Sequence, residues 1–491
     1  MKNINPQTKQ PWKILWFGDL VTPSGFGRIG NEVTRRLQVR GYAMQGASIS
    51  YTGWPHDLPF HVWPLGGQDI WQGLVMIVNT TKPDLLVSCQ DFPYHQTVWS
   101  TCRIDFSRVK WVWITPIDGT PIHPDWVKLA DYADGAMVIS RFGVAALKEN
   151  GKRVALLQPG VNAQEFYPAA DEERKAWREL AGYAPGSFVV GAMAMNQGRK
   201  AIPPMLEAFH RFAVDKPEAR LFLDMDKASP AGWDIPNLLK QMGWTEAEQK
   251  RVDYRADLFE RTTNRETGEC PFHPMRARYG LLDLHMVIAH REGFGLPHIE
   301  AMACCVPTAA LDWCSGPEIV GDGRGLLVKR LPYMEHGTWG GARDAFPDLD
   351  DLTEKLETVY TQHELAAHIA ASGLAWANKL TWDAAADQVE AVIQSALERK
   401  RNERPSHEPT ASQPHEISHL SDTRGPSRGI GSDVHDTFIP ARPGDDGHTS
   451  APVSRDPSLQ RPESGDPVPE VAGGDGGRGG DGRAAGDLSP G

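Results

Sequence analysis

Glu292 and Glu300 stand seven residues apart in the run Glu292-Gly293-Phe294-Gly295-Leu296-Pro297-His298-Ile299-Glu300-Ala301-Met302-Ala303. Two carboxylates flanking one turn can accept hydrogen bonds from hydroxyl groups. The glycines between them let backbone amides approach a ligand closely. Pro297 suits a first helical turn, where its missing N–H costs nothing, so a helix is expected to begin at about Leu296 or Pro297 with Glu300 in its first turn. The end of such a helix offers free N–H donors and positive dipole. Together these groups suit a polyhydroxylated, phosphorylated ligand. The plainer reading makes Glu300 a dipole-complementing carboxylate and Glu292 a loop ion pair with Arg291.

Elements on either side must hold this turn in place. The apolar run 281–289 before it has the character of a buried parallel strand, so the unit is strand, tight loop and helix. A similar unit opens the chain, where Lys13-Ile14-Leu15-Trp16-Phe17-Gly18 precedes Gly25-Phe26-Gly27-Arg28-Ile29-Gly30 and a helical pattern through Val33 and Leu37. The glycines fit G-x-G-x-x-G, which raises an NAD(P)-dependent oxidoreductase. That reading also requires a ribose-binding carboxylate at the end of the second strand, and none occurs there before Asp57. Further strands are expected at 84–89, 109–115 and 135–140, then at 188–193, 219–223, 252–254, 308–311 and 325–328. Strands alternating with helical patterns imply parallel sheets covered by helices. Loops carrying Asp91, and Asp118 with His123, follow two of these strands, at the ends where open α/β sheets bind ligands. Each of the three residues also fits a turn, a cap or an ordinary surface position.

The chain has 491 residues, more than one core usually holds, and a net charge of −12. That charge disfavours a broad surface for duplex nucleic acid or anionic membrane. No stretch approaches 18 uninterrupted apolar residues and the first dozen residues are polar, so a soluble cytoplasmic protein without a transmembrane segment is expected. The six cysteines form no C-x-x-C pair and read as reduced, packed thiols, Cys270 beside His273 included. Beyond residue 401 Pro, Gly, Ser, Asp and Arg dominate, and such a composition cannot offset chain entropy by burial, so a disordered tail is expected.

Over residues 13–397 the chain resembles the GT-B-fold, retaining, nucleotide-sugar-dependent glycosyltransferases. The resemblance rests on the E-x7-E run with its internal Gly-Phe-Gly and trailing Glu-Ala-Met-Ala, on Gly160-Val161-Asn162 with Phe166 and Pro168, on Arg199-Lys200 before Leu206-Glu207-Ala208-Phe209, and on Ser315-Gly316-Pro317-Glu318-Ile319-Val320. It departs from the family pattern at Pro159, where a histidine is usual, at Cys305, where a small residue is frequent, and at Met195 or Asn196, where an arginine often stands.

The resemblance implies an α/β protein of two facing Rossmann-like domains. An acceptor-side domain would span 1–168, a donor-nucleotide domain 169–380, a helix packing back toward the first domain 381–400, and the disordered tail 401–491. It implies that Arg199 and Lys200 bind the donor diphosphate, whose charge rises as the glycosyl bond breaks. Glu292 would contact the donor sugar and Glu300 the nucleotide ribose. The backbone of Gly293, Phe294, Gly295 and Leu296 would face sugar or phosphate, with Gly25 and Gly27 opposite. Asp118 is the candidate acceptor-side catalytic group. The donor is the expected partner and the acceptor is unidentified. Neither cofactor nor metal is expected, and Asp224-Met225-Asp226 follows a strand of the second domain rather than standing where metal-dependent, single-domain transferases carry D-x-D. A non-catalytic sugar-nucleotide or glycan-binding protein of the same fold is the alternative from another class.

Overall fold

The computed structural model describes residues 3–254, 274–337 and 340–399. The expected tail, Cys270 and His273 lie outside the described residues.

Two parallel sheets form the frame. The first contains β1 (Lys13–Gly18), β2 (Ala43–Ser48), β3 (Val62–Pro64), β4 (Leu85–Cys89), β5 (Lys110–Thr115), β6 (Gly135–Val138) and β7 (Ala155–Leu156) in the spatial order β3-β2-β1-β4-β5-β6-β7. The second contains β8 (Phe188–Met193), β9 (Ala219–Asp224), β10 (Val252–Asp253), β11 (Leu284–Met286), β12 (Thr308–Leu311) and β13 (Leu326–Val328), ordered β10-β9-β8-β11-β12-β13. Helices on both faces explain why strands such as β4, β5 and β8 are buried at every position and read as unbroken apolar runs. In each sheet the order reverses next to the first strand, between β1 and β4 and between β8 and β11. That reversal opens a crevice at the carboxyl ends of the strands.

The run 281–289 is buried apart from Asp283, but only its centre forms β11. Ladder pairing is confined to Leu284 and His285 against β8, and His285 and Met286 against β12. A hairpin that sequence reading missed, β14 (Arg330–His336) with β15 (Arg343–Pro347), follows β13. Its first strand is mostly exposed and carries Pro332, both of which hide a strand from pattern reading.

The helix Trp382–Glu398 leaves the second sheet's side of the molecule and packs on the helix Gly25–Val39 and on β5 to β7. Its buried face is Ala385, Ala386, Val389, Ile393 and Ala396, at helical spacing. Arg40 grips it through Asp387 and Glu390 at 2.7 and 2.8 Å. Where the two connecting segments cross, Val161 N donates to Leu380 O at 2.9 Å. A Cβ on Gly160 would stand 2.4 Å from Trp382 N, so only glycine fits this crossing.

Candidate active site

The loop after β8 ends in one tight turn, Gly198–Lys200, before the helix Ile202–Ala213. Asn196 pins it. Its amide donates to Asp226 O and Trp233 O at 2.9 and 2.7 Å and accepts from Trp233 N at 2.9 Å. Ala201 holds a left-handed conformation at φ 51°, unusual for a residue with a side chain, and so separates the turn sharply from the helix. The consequence is a buried Lys200 and a half-buried Arg199 aimed at one place.

That place is Glu292. The Lys200 ammonium forms an ion pair with its Oε2, and Arg199 Nη1 lies 3.4 Å from the same oxygen and donates to Arg291 O at 3.1 Å. Burial alone would push the Glu292 carboxyl up; Lys200 and Arg199 overcome it and hold the group at about 2. Burial and the neighbouring Arg199 push Lys200 down from its ordinary value. Glu292 is therefore an anion at neutral pH, facing two clustered cations in a largely buried site. Ser315 fixes the loop by donating to Glu292 O and Phe294 O at 2.9 and 3.1 Å.

The helix Leu296–Ala303 begins where Pro297 places it, with Gly295 as its cap at φ 94° and no side chain bonded to its first amides. Glu300 is the fifth residue of this helix, beyond the first turn, so complementing the dipole is not its role. Its Oε1 accepts from Arg28 Nη1 at 2.6 Å and its Oε2 from the Tyr279 hydroxyl at 2.8 Å. Beside it His298 and His285 stack edge to face at 5.2 Å, both driven down by burial, His298 to about 4, so both rings are neutral.

The opposite wall comes from the first domain. Pro116 and Asp118 follow β5, and a Cβ on Gly293 would meet Pro116 Cβ at 2.6 Å. Gly293 is thus the residue that lets the two walls close. Gly25 approaches Leu296 across the same gap, its Cβ position 3.8 Å from Leu296 Cδ1. Glu318 of the second domain accepts from Arg141 N and Phe142 N at 2.8 and 3.3 Å, capping a first-domain helix.

Several expectations change in three dimensions. The stretch Gly25-Phe26-Gly27 is the first turn of a helix capped by Ser24 rather than an open loop. Gly27 is demanded by its own turn, since a Cβ there would come 2.0 Å from Thr22 O. Arg291 does not pair with Glu292. It is buried, forms an ion pair with Asp344 of β15, and directs Nη1 toward Asp118 Oδ1 at 3.8 Å. Asp57 is exposed and pairs with Arg35, so no ribose carboxylate closes the glycine-rich turn as dinucleotide binding would require. His123 caps the helix Pro124–Tyr132. Asp224 pairs with Arg278 at 3.3 Å. Arg28 and Tyr279 join the site without having been assigned to it, while Ser315, Asn196 and Arg291, named in the sequence for other reasons, hold its loops. Arg28 lies among the motif glycines, which is its only local signal; Tyr279 carries none.

Residues 248–332 match the model of the glycosyl transferases group 1. A GDP-mannose-dependent monoacylated alpha-(1-6)-phosphatidylinositol monomannoside mannosyltransferase of Corynebacterium glutamicum is 22% identical over 240 residues, 49% of this chain and 55% of that protein. The solved sucrose-phosphate synthase of Thermosynechococcus elongatus shares the fold at a TM-score of 0.60 and 17% identity, covering 78% of this chain and 98% of its own. Anabaena HepE in complex with UDP-glucose does so at 0.58 and 18%, covering 78% and 99%. The architecture is the two-domain GT-B fold. The chain spans about half the length of the curated relatives it matches. Among the described residues no helix is long and apolar enough to cross a membrane.

Proposed function

We propose that this protein is a retaining glycosyltransferase that moves a sugar from a nucleotide-sugar donor to an acceptor held against its first domain. The observation that carries the reading is the pair Arg199 and Lys200, set by one tight turn onto Glu292 at the mouth of the crevice. A departing nucleoside diphosphate gains negative charge as the glycosyl bond breaks, and fixed cations in a dry site stabilise that charge most where it grows. Arg199 and Lys200 take the diphosphate. Glu292, released from Lys200 as the diphosphate arrives, contacts the sugar hydroxyls and the cationic character developing at the anomeric carbon. The amides of Phe294, Gly295 and Leu296, at the uncapped helix end, face sugar or phosphate. Glu300 accepts from the ribose hydroxyls, with Gly25 on the facing wall.

The glycosyl carbon–oxygen bond to the diphosphate breaks while the acceptor oxygen bonds to the same face of the carbon. The acceptor proton passes to the leaving phosphate oxygen. Asp118, near Arg291 on the first-domain wall, orients the acceptor. A hydrolytic reading would set an acid and a base on either side of one glycosidic bond and leave the two cations without purpose.

HepE binds UDP-glucose, which makes uridine-linked sugars the first donors to try. A thermal-shift panel of UDP-, GDP- and ADP-sugars should single out a donor by raising the melting temperature. Slow release of the nucleoside diphosphate, abolished by Lys200→Ala, is the expected activity. Binding without turnover, with every donor and a broad set of acceptors, would favour a non-catalytic sugar-nucleotide-binding protein.

A further inference from the structure

Arg28 begins on one domain and ends on the other. It follows Gly27 in the first turn of the helix Gly25–Val39, yet its guanidinium lies 2.6 Å from Glu300 on the helix that follows the E-x7-E turn. On the way it passes over the ring of Phe166, in the segment joining the two sheets, at 5.2 Å from the centroid. Glu300 is nearly buried, and Tyr279 holds its other oxygen at 2.8 Å. A carboxylate has about four acceptor positions, two on each oxygen. With one donor on each, one position per oxygen remains, which matches the two donors of a vicinal diol.

We infer that Arg28 is the positioning residue of Glu300, so that both domains together present the nucleotide-facing carboxylate; this rests on the proposed reading of Glu300 as a ribose contact. Arg28 acts in two ways. It fixes one oxygen in place, and its charge keeps the group an acceptor. Burial drives the Glu300 carboxyl up toward protonation, Arg28 is the leading influence against it, the Tyr279 hydroxyl adds to Arg28, and Glu165 works the other way. Cys304, which caps the end of the same helix, lies within reach, and Glu32 and Glu165 face Arg28. A protonated Glu300 would offer one donor where the diol needs an acceptor. Donor binding to the second domain is thereby tied to closure of the first.

The test is calorimetric binding of UDP and of GDP to the full chain at pH 6 to 9, in wild type, Arg28→Gln, Arg28→Lys, Glu300→Gln and the Arg28→Gln/Glu300→Gln double variant, with melting temperatures confirming that each is folded. Arg28→Gln should weaken the better-bound diphosphate by roughly ten- to hundredfold at pH 7, the range for hydrogen bonds to charged groups. The loss should deepen as pH falls, because Glu300 without Arg28 protonates more readily, and Arg28→Lys should recover most of it. In the Glu300→Gln background the same change should add nothing. An equal loss in both backgrounds, or none in either, overturns the inference. Loss of affinity in Glu300→Gln with none in Arg28→Gln defeats it alone. Equal binding by wild type and Glu300→Gln removes the ribose reading and this inference with it, and a wild type that binds neither diphosphate ends the proposed function as well.

Discussion

Replacing Glu292 by Gln keeps the shape of the side chain and removes the charge that Arg199 and Lys200 both face. At the 3.4 Å separation of Arg199 from Glu292, a unit charge pair in a medium of effective dielectric 20 interacts by about 5 kcal/mol. Lys200 is 7% exposed, and stripping one partner from a buried pair costs about 3–5 kcal/mol because the other charge stays unpaired. The empty variant should therefore melt well below the wild type. A diphosphate brings back the missing negative charge without having to displace a carboxylate. If about 1.4 kcal/mol of the lost interaction reappears as binding, the variant should hold UDP or GDP roughly tenfold more tightly than the wild type. Transfer should move the opposite way, falling by roughly a hundredfold or more, since the group facing the anomeric carbon no longer carries charge. Melting curves with and without nucleotide, calorimetry, and initial rates of diphosphate release measure the three quantities on one preparation. A variant that melts like the wild type, or binds the diphosphate no more tightly, would refute the argument that Glu292 holds the two cations in the empty site.

Gly293→Ala places a methyl where only 2.6 Å separates it from Pro116, so one wall must retreat by about 1 Å, a displacement that near a reacting centre costs on the order of a hundredfold in rate; diphosphate binding, centred on the second domain, should change far less, and equal loss of both would count against a closure defect. Gly160→Ala meets the backbone at Trp382 and should destabilise the chain by about 1–3 kcal/mol through overpacking, read as a lower denaturation midpoint; an unchanged midpoint would mean that the crossing has room to adjust. Burial holds His95 and His298 down to about 4. The unfolded chain takes up these protons near pH 6.5 and the folded protein resists until about pH 4, so the stability involved is complete above pH 6.5 and is lost as pH falls toward 4, by about 3 kcal/mol for each ring. Denaturant titrations at pH 7.5 and 5 should show the decline, and a His95→Asn/His298→Asn variant with an undiminished decline would assign it to other groups.

Much of the architecture could be read from local chemistry. Strands such as 188–193 and 308–311 are buried on both faces, so their apolar character is continuous and needs no knowledge of neighbours. The start of the helix Leu296–Ala303 follows from Pro297 and Gly295, whose backbone preferences act at their own positions. Where local signals weaken, the expectations drift: 281–289 is mostly apolar, yet ladder partners exist for only three of its residues, and the exposed β14 carries a proline that conceals it.

The sequence by itself determined the kinds of groups available: two glutamates around a glycine turn, a basic pair between a strand and a helix, a second glycine-rich turn, and from these the resemblance to nucleotide-sugar glycosyltransferases. Only the tertiary structure decided which charge meets which. Lys200 reaches Glu292 across 92 residues of chain and Arg28 reaches Glu300 across 272, while Arg291, adjacent to Glu292, turns to Asp344 instead. Ion pairing depends on distance in space and on burial, and sequence separation measures neither. The positions of Arg28 and Glu300 are set by two different sheets, and their meeting exists only once those sheets face each other.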